Sequence, residues 1–120
     1  MPLTSYAEVQ QFITNALKAN GSYGLIADAK CLHHNFWETM SYNDFTTGNI
    51  SGGITDNNGN PIRILIPGNS AGSALIQALR GTGIADPNTG AVNQMPDATT
   101  KFTAQQINEI AAWIDANCPP

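Results

Sequence analysis

The 120-residue sequence predicts a single all-α, loop-rich domain, and three observations carry that expectation. Apolar residues recur at helical spacing in separate segments, each beginning at a hydroxyl-bearing residue that can cap a helix. Strand signal is confined to one short β-branched run, IRILI. The connecting segments are rich in Gly, Asn and Pro, which punctuate rather than extend regular structure. A chain of this length forms one modest core, so a single domain over residues 1–120 is expected.

The first helix is predicted from about Tyr6 to Ala19. Ser5 and Glu8 fit a capping box, in which hydroxyl and carboxylate each satisfy an unpaired N–H of the first turn. Val9, Phe12, Ile13, Ala16 and Leu17 form the apolar stripe, and Gly21 supplies a left-handed stop. Residues 22–36 are read as loop. Ser41 and Asp44 mark the start of a short helix near residues 42–47. The tract NISGGITDNNGNP then makes turns, and the β-branched IRILI segment, residues 62–66, pairs weakly with residues 50–55 as a minor β-hairpin.

A second main helix is expected after Pro67-Gly68, capped by Asn69 or Ser70 and stopped by Gly81. Leu75, Ile76 and Leu79 are its stripe. Residues 82–101 form a long irregular segment, and so long a loop in a small domain is usually functional or wrapped around something. The third main helix begins with a capping box at Thr103 and Gln106. It buries Ile107, Ile110, Ala111 and Ile114, with Trp113 at the flank.

Composition narrows the function. Charged residues make up 12% of the chain and the net charge is −4. The five basic residues, Lys18, Lys30, Arg63, Arg80 and Lys101, are scattered. A phosphate-binding surface for nucleic acid needs clustered Lys and Arg, so nucleic acid is excluded as a partner, and an anionic membrane surface is disfavoured. No run approaches the ~20 apolar residues of a membrane span. The N-terminal segment lacks the basic start and apolar stretch of a secretory signal. Scarce Lys and Glu with abundant Asn, Thr, Gly and Ser nevertheless suit an exported domain, periplasmic or extracellular, whose leader is not part of this chain.

The soft-ligand chemistry is concentrated in KCLHHNF, residues 30–36. It contains one of the two cysteines and both histidines of the chain. His33, His34 and Met95 are the candidate haem or metal ligands, joined by Cys31 in a copper reading. Haem iron accepts a His/Met pair, and copper suits sulfur with imidazole. Against this, Met95 is read as a flexible gap-filler. Asp56-Asn57-Asn58-Gly59-Asn60 resembles a calcium loop, but Pro67 stands where the bidentate Glu belongs, so it is read as a turn. Asp86-x-Asn88-x-Gly90 is read likewise, and Asn20-Gly21-Ser22 and Asn49-Ile50-Ser51 are glycosylation sequons. Glu8, Glu38 and Glu109 are read as solvated or capping residues, and Ser70 and Ser73 as caps. No nucleophile elbow, phosphate loop or paired-carboxylate motif appears, so no enzymatic activity is expected.

The order of motifs resembles a known family. IPGNSAGSALIQALRG, then QMP, then FTAQQINEIAAWIDANCP follow a capped first helix and a Cys/His cluster. This is similar to small c-type cytochrome domains of bacterial exported proteins, over roughly residues 5–118. The resemblance implies a cytochrome c-like fold with three main helices and one short one. It also implies that Phe36, Trp37, Tyr42 and Phe45 line or fill the cavity that haem normally occupies. The family attaches haem through Cys-x-x-Cys-His, whereas this chain reads Cys31-Leu32-His33-His34-Asn35. Neither register restores the second thiol together with the ligand histidine, so covalent attachment is not expected. The leading expectation is a haem-free, disulfide-bonded binding or accessory module with no cofactor. Cys31 then pairs with Cys118, a bridge that the chain-entropy model values at about 3–5 kcal/mol. The alternatives are an electron carrier holding haem noncovalently through His33 or His34 and Met95, and a copper protein using the same side chains.

Overall fold

The computed structural model describes residues 3–21, 23, 36–50, 53–92, 94–95 and 101–120. Among them the protein is all-α. The helices are α1 (Tyr6–Ala19), α2 (Phe36–Thr39), α3 (Tyr42–Thr47), α4 (Ala74–Arg80) and α5 (Ala104–Asp115), with a 3₁₀ turn at Gly83–Ala85.

Helix α1 has the predicted bounds, and the Ser5 hydroxyl accepts from the Glu8 N–H at 3.2 Å. The predicted reciprocal half of that box is redirected. Glu8 takes short hydrogen bonds from Thr4, 2.7 Å from its N–H and 2.6 Å from its hydroxyl. These bonds, the hydroxyl's first, hold the Glu8 carboxyl below its ordinary pKa. Val9, Ile13, Ala16 and Leu17 are buried as the stripe requires, while Phe12 is only half-buried. Gly21 leaves the helix at φ 74°, the left-handed conformation that costs glycine least.

Helix α2 lies where the sequence suggested loop running into an unassigned Trp37–Met40 stretch. It is four residues long, too short to show periodicity. Its support comes from α1: Tyr6 donates to the Trp37 and Met40 carbonyls and Gln10 Nε2 to the Trp37 carbonyl. Helix α3 follows immediately, with Ser41 accepting from the Asp44 N–H at 3.1 Å.

Residues 49–63 hold two isolated antiparallel bridges, Asn49 with Arg63 and Thr55 with Pro61, and no strand among the described residues. The expected hairpin is thus reduced to these bridges, and Pro61 has no N–H with which to extend a ladder. Asp56 closes the turn by accepting from the Asn58 and Asn60 N–H groups at 2.9 and 3.0 Å.

Helix α4 begins later than expected. Neither Asn69 nor Ser70 caps it; Ser73 holds the cap position and makes no side-chain cap bond. Each candidate is engaged elsewhere. Asn69 accepts from the Gly72 N–H, and Ser70 binds Asp115 of α5 through both N–H and hydroxyl at 2.9 Å. Ser73 Oγ accepts from the Ile66 N–H and donates to the Asn69 carbonyl, both at 2.8 Å. Gly81 ends the helix at φ 74°, as the sequence implied.

Helix α5 carries the predicted capping box in both directions, at 3.1 and 2.9 Å. Trp113, expected at the flank, is buried, and its indole N–H donates to the Pro119 carbonyl. The helix closes through a Schellman pair, Cys118 N–H to the Trp113 carbonyl and Asn117 N–H to the Ile114 carbonyl. Asn117 sits at φ 67°; Asn is the residue that most readily replaces Gly there.

Two packed regions result. Tyr6, Phe36, Phe45 and Trp113 form a ring column joining α1, α2, α3 and α5, with Tyr6–Phe45 and Phe36–Phe45 centroids 5.1 and 6.1 Å apart. Beside it, aliphatic side chains from α1, α4 and the loops surround a cavity.

Candidate functional site

The cavity measures about 80 Å³, and its wall is assembled from five stretches of chain. Ile13 and Leu17 come from α1, Phe36 and Trp37 from α2, and Ile50, Ile54 and Ile64 from the bridged loops. Leu75, Ala78 and Leu79 are contributed by α4, and Ile84, Val92, Met95 and Phe102 by the segment after it. Every described wall residue is apolar, and none carries an ionisable group.

Local structure sets this arrangement. Leu75, Ala78 and Leu79 share one face of α4 through their i, i+3 and i+4 spacing. The Met95 N–H donates to the Ala78 carbonyl at 2.8 Å, which pins the returning loop across that helix. Gln94 Nε2 reinforces it by donating to the Leu79 carbonyl at 3.0 Å. Trp37 turns its one polar atom away from the cavity, donating from Nε1 to Thr14 Oγ1 at 2.9 Å. Thr14 in turn donates to Glu38 at 2.6 Å, and Tyr23 donates to the same carboxylate at 2.6 Å.

The sequence-predicted site residues separate into three groups. Phe36, Trp37 and Met95 lie on the cavity wall. Phe45 and Tyr42 do not line it; Phe45 is wholly buried in the ring column and Tyr42 packs edge-on against Tyr6. Their place is explained by α3, which turns Phe45 toward Trp113 and lets the Tyr42 hydroxyl bond the Cys118 carbonyl. Cys31, His33 and His34 lie outside the described residues, as does the Cys31 half of the expected bridge. Cys118 is buried and has no disulfide partner among the described residues. Burial raises its thiol pKa to about 11, with Arg63 opposing the shift.

Among the described residues no cluster of three or more His, Cys, Asp or Glu side chains is placed to hold a metal. The two Asp-led loops act as turns. Asp86 accepts from the Asn88 and Thr89 N–H groups, and Asn57 Nδ2 donates to the Thr89 carbonyl, tying one loop to the other. No described helix is long and apolar enough to cross a membrane. The Asn20 side-chain nitrogen, in the first sequon, is buried.

The described walls do not fit a haem. Cofactor pockets run to roughly 300–1,000 Å³, against about 80 Å³ here. Met95 would offer sulfur from one side, and Phe36, Trp37 and Phe102 stand on the same wall. Sequence reasoning missed most of this wall, including Ile64, Leu75, Ile84 and Phe102. The one signal that pointed to part of it was the long 82–101 segment, which supplies Ile84, Val92 and Met95. Comparison of the chain with models of known protein families, with curated proteins and with solved structures returned no match.

Proposed function

We propose that the chain is a haem-free, cytochrome c-like binding or accessory module, exported, disulfide-bonded between Cys31 and Cys118, and without catalysis of its own. The observation that supports the reading is the small cavity, about 80 Å³, whose described wall is wholly apolar. The burial of Cys118 agrees with a bridged sulfur, since a thiol held there is inert to ordinary chemistry. Met95 on the wall favours the second reading, an electron carrier with haem held noncovalently between Met95 and His33 or His34.

Haemin titration of the purified protein, followed by visible absorption, separates the two. The leading reading expects the spectrum of free haemin throughout; a saturable Soret shift that Met95→Ala abolishes would establish the electron carrier. A copper titration followed by the same spectrum tests the metal variant, and no ligand-field or charge-transfer band is expected. Thiol titration in denaturant without reductant tests the bridge. The expected count is zero, and two reactive thiols exclude it.

A further inference from the structure

We propose that the cavity is a binding site for a small uncharged hydrocarbon group, a short alkyl chain or a single ring. The inference rests on the haem-free reading above and names the class of ligand that site would take.

The first argument is the state of the wall's backbone. Apolar side chains alone do not make a site dry, because peptide groups behind them can still receive a polar ligand. Behind Trp37, Ile64, Ala78, Leu79 and Ile84 these groups already have partners within the protein. The Ile64 carbonyl accepts from the Leu75 N–H at 2.8 Å, and the Ile64 N–H donates to the Gly48 carbonyl at 3.2 Å. The Ala78 and Leu79 carbonyls are taken by Met95 and Gln94 at 2.8 and 3.0 Å. Ile84 uses its carbonyl for the Val92 N–H at 3.0 Å and its N–H for Gln77 Oε1 at 3.2 Å. Trp37 accepts at its carbonyl from Tyr6 and Gln10 and donates its indole N–H to Thr14. A polar group entering the cavity would lose its water and find these groups already taken, a penalty of several kcal/mol in an apolar surround.

Size is the second argument. An enclosed apolar cavity of roughly 150 Å³ stays empty of water and takes benzene or xenon. This one is smaller, about 80 Å³, but it is not fully closed. It therefore accepts a xenon atom or an alkyl end outright, and a single ring whose edge remains in the mouth. Polarisable neighbours, the Met95 sulfur and the Phe36, Trp37 and Phe102 rings, favour such a guest through dispersion.

The test is a titration of the full chain with toluene, xenon and benzoate, read by methyl NMR shifts at Ile64, Ile84 and Met95. Toluene and xenon are expected to give saturable shifts at these methyls, with toluene binding at least about tenfold tighter than benzoate, whose charge has no partner inside. Ile84→Phe, at a half-buried position, should keep the native spectrum and weaken toluene about tenfold by filling the space. If that variant does not fold, Leu75→Phe is judged by the same criterion. Absence of saturable toluene shifts in folded protein overturns the proposal, as does benzoate binding as tightly as toluene, or unchanged binding in the filled variant. A parallel haemin titration keeps the two readings apart. Haemin uptake overturns the haem-free reading itself, whereas refusal of both haemin and toluene overturns only the ligand class.

Discussion

The ring column and the cavity share the residues of one core yet are built on different terms. In the column, the described polar handles have destinations on the protein. Tyr6 reaches the carbonyls of α2, Tyr42 the carbonyl of Cys118, and Trp113 the carbonyl of Pro119. Large flat rings pack edge and face at centroid distances of 5.1 to 6.5 Å. On the cavity side the wall is mostly Ile, Leu and Val, drawn from segments far apart in sequence and held by backbone hydrogen bonds. Branched side chains on separate supports meet only where the backbone lets them, and a gap remains. One region is fastened by its side chains, the other by its main chain, and the second keeps room for a guest.

The largest effect that distinguishes them is expected from Trp113→Ala. It removes a fully buried ring from the centre of the column, at a cost of about 3–5 kcal/mol in urea unfolding. A loss below 1 kcal/mol would mean that the column is not the principal support.

Next comes alkaline pH. Burial of Tyr6 raises its pKa from 10.0 to about 12. The unfolded chain therefore releases this proton first as pH rises above 10, so the stabilisation present below pH 10 is lost toward pH 12. That amounts to about 2–3 kcal/mol for a shift of this size. Tyr6→Phe should be less stable at neutral pH through its lost hydrogen bonds, but the gap to the native chain should narrow above pH 10. Urea midpoints measured in parallel across that range decide it. Cys118 is common to both proteins, so any contribution from it cancels from the difference.

The smallest change belongs to the cavity. Leu75→Ala is expected to cost about 2 kcal/mol, the low end for a core leucine, because the side chain is half-buried and already borders a void. If it costs as much as Trp113→Ala, the two regions are equally packed and the contrast fails. Cavity enlargement should also strengthen toluene binding, a second reading of the same variant.

Helices were legible where a capping residue and a periodic stripe coincided. The Thr103–Gln106 box and the Ile107, Ile110, Ala111 and Ile114 face stand as the sequence implied. Ser41 and Gly21 behaved in the same way. Legibility failed where long-range contacts chose between equivalent local signals. The run Asn69-Ser70-Ala71-Gly72-Ser73 offers three capping side chains, and Asp115, distant in sequence, claims Ser70. Helix α2 was hidden because four residues show no period, and α1 holds it in place. Phe36 and Trp37 stand on the cavity wall, whereas Tyr42 and Phe45, close to them in sequence, stand in or beside the ring column. A side chain's destination across the core is set by helix orientation, which no local pattern records. The same limit explains Ile64, Ile84 and Phe102, each unremarkable in its own segment.

The two tryptophans fall one to each region, and each indole N–H has its own acceptor, Thr14 for Trp37 and Pro119 for Trp113. The chain thus carries two native fluorophores in chemically separate surroundings. With Trp113→Phe, the remaining emission reports on the cavity; with Trp37→Phe, it reports on the ring column and the docked chain end. Unfolding followed through the two variants would reveal whether the halves of the core melt as one cooperative unit or in sequence, without any label being introduced.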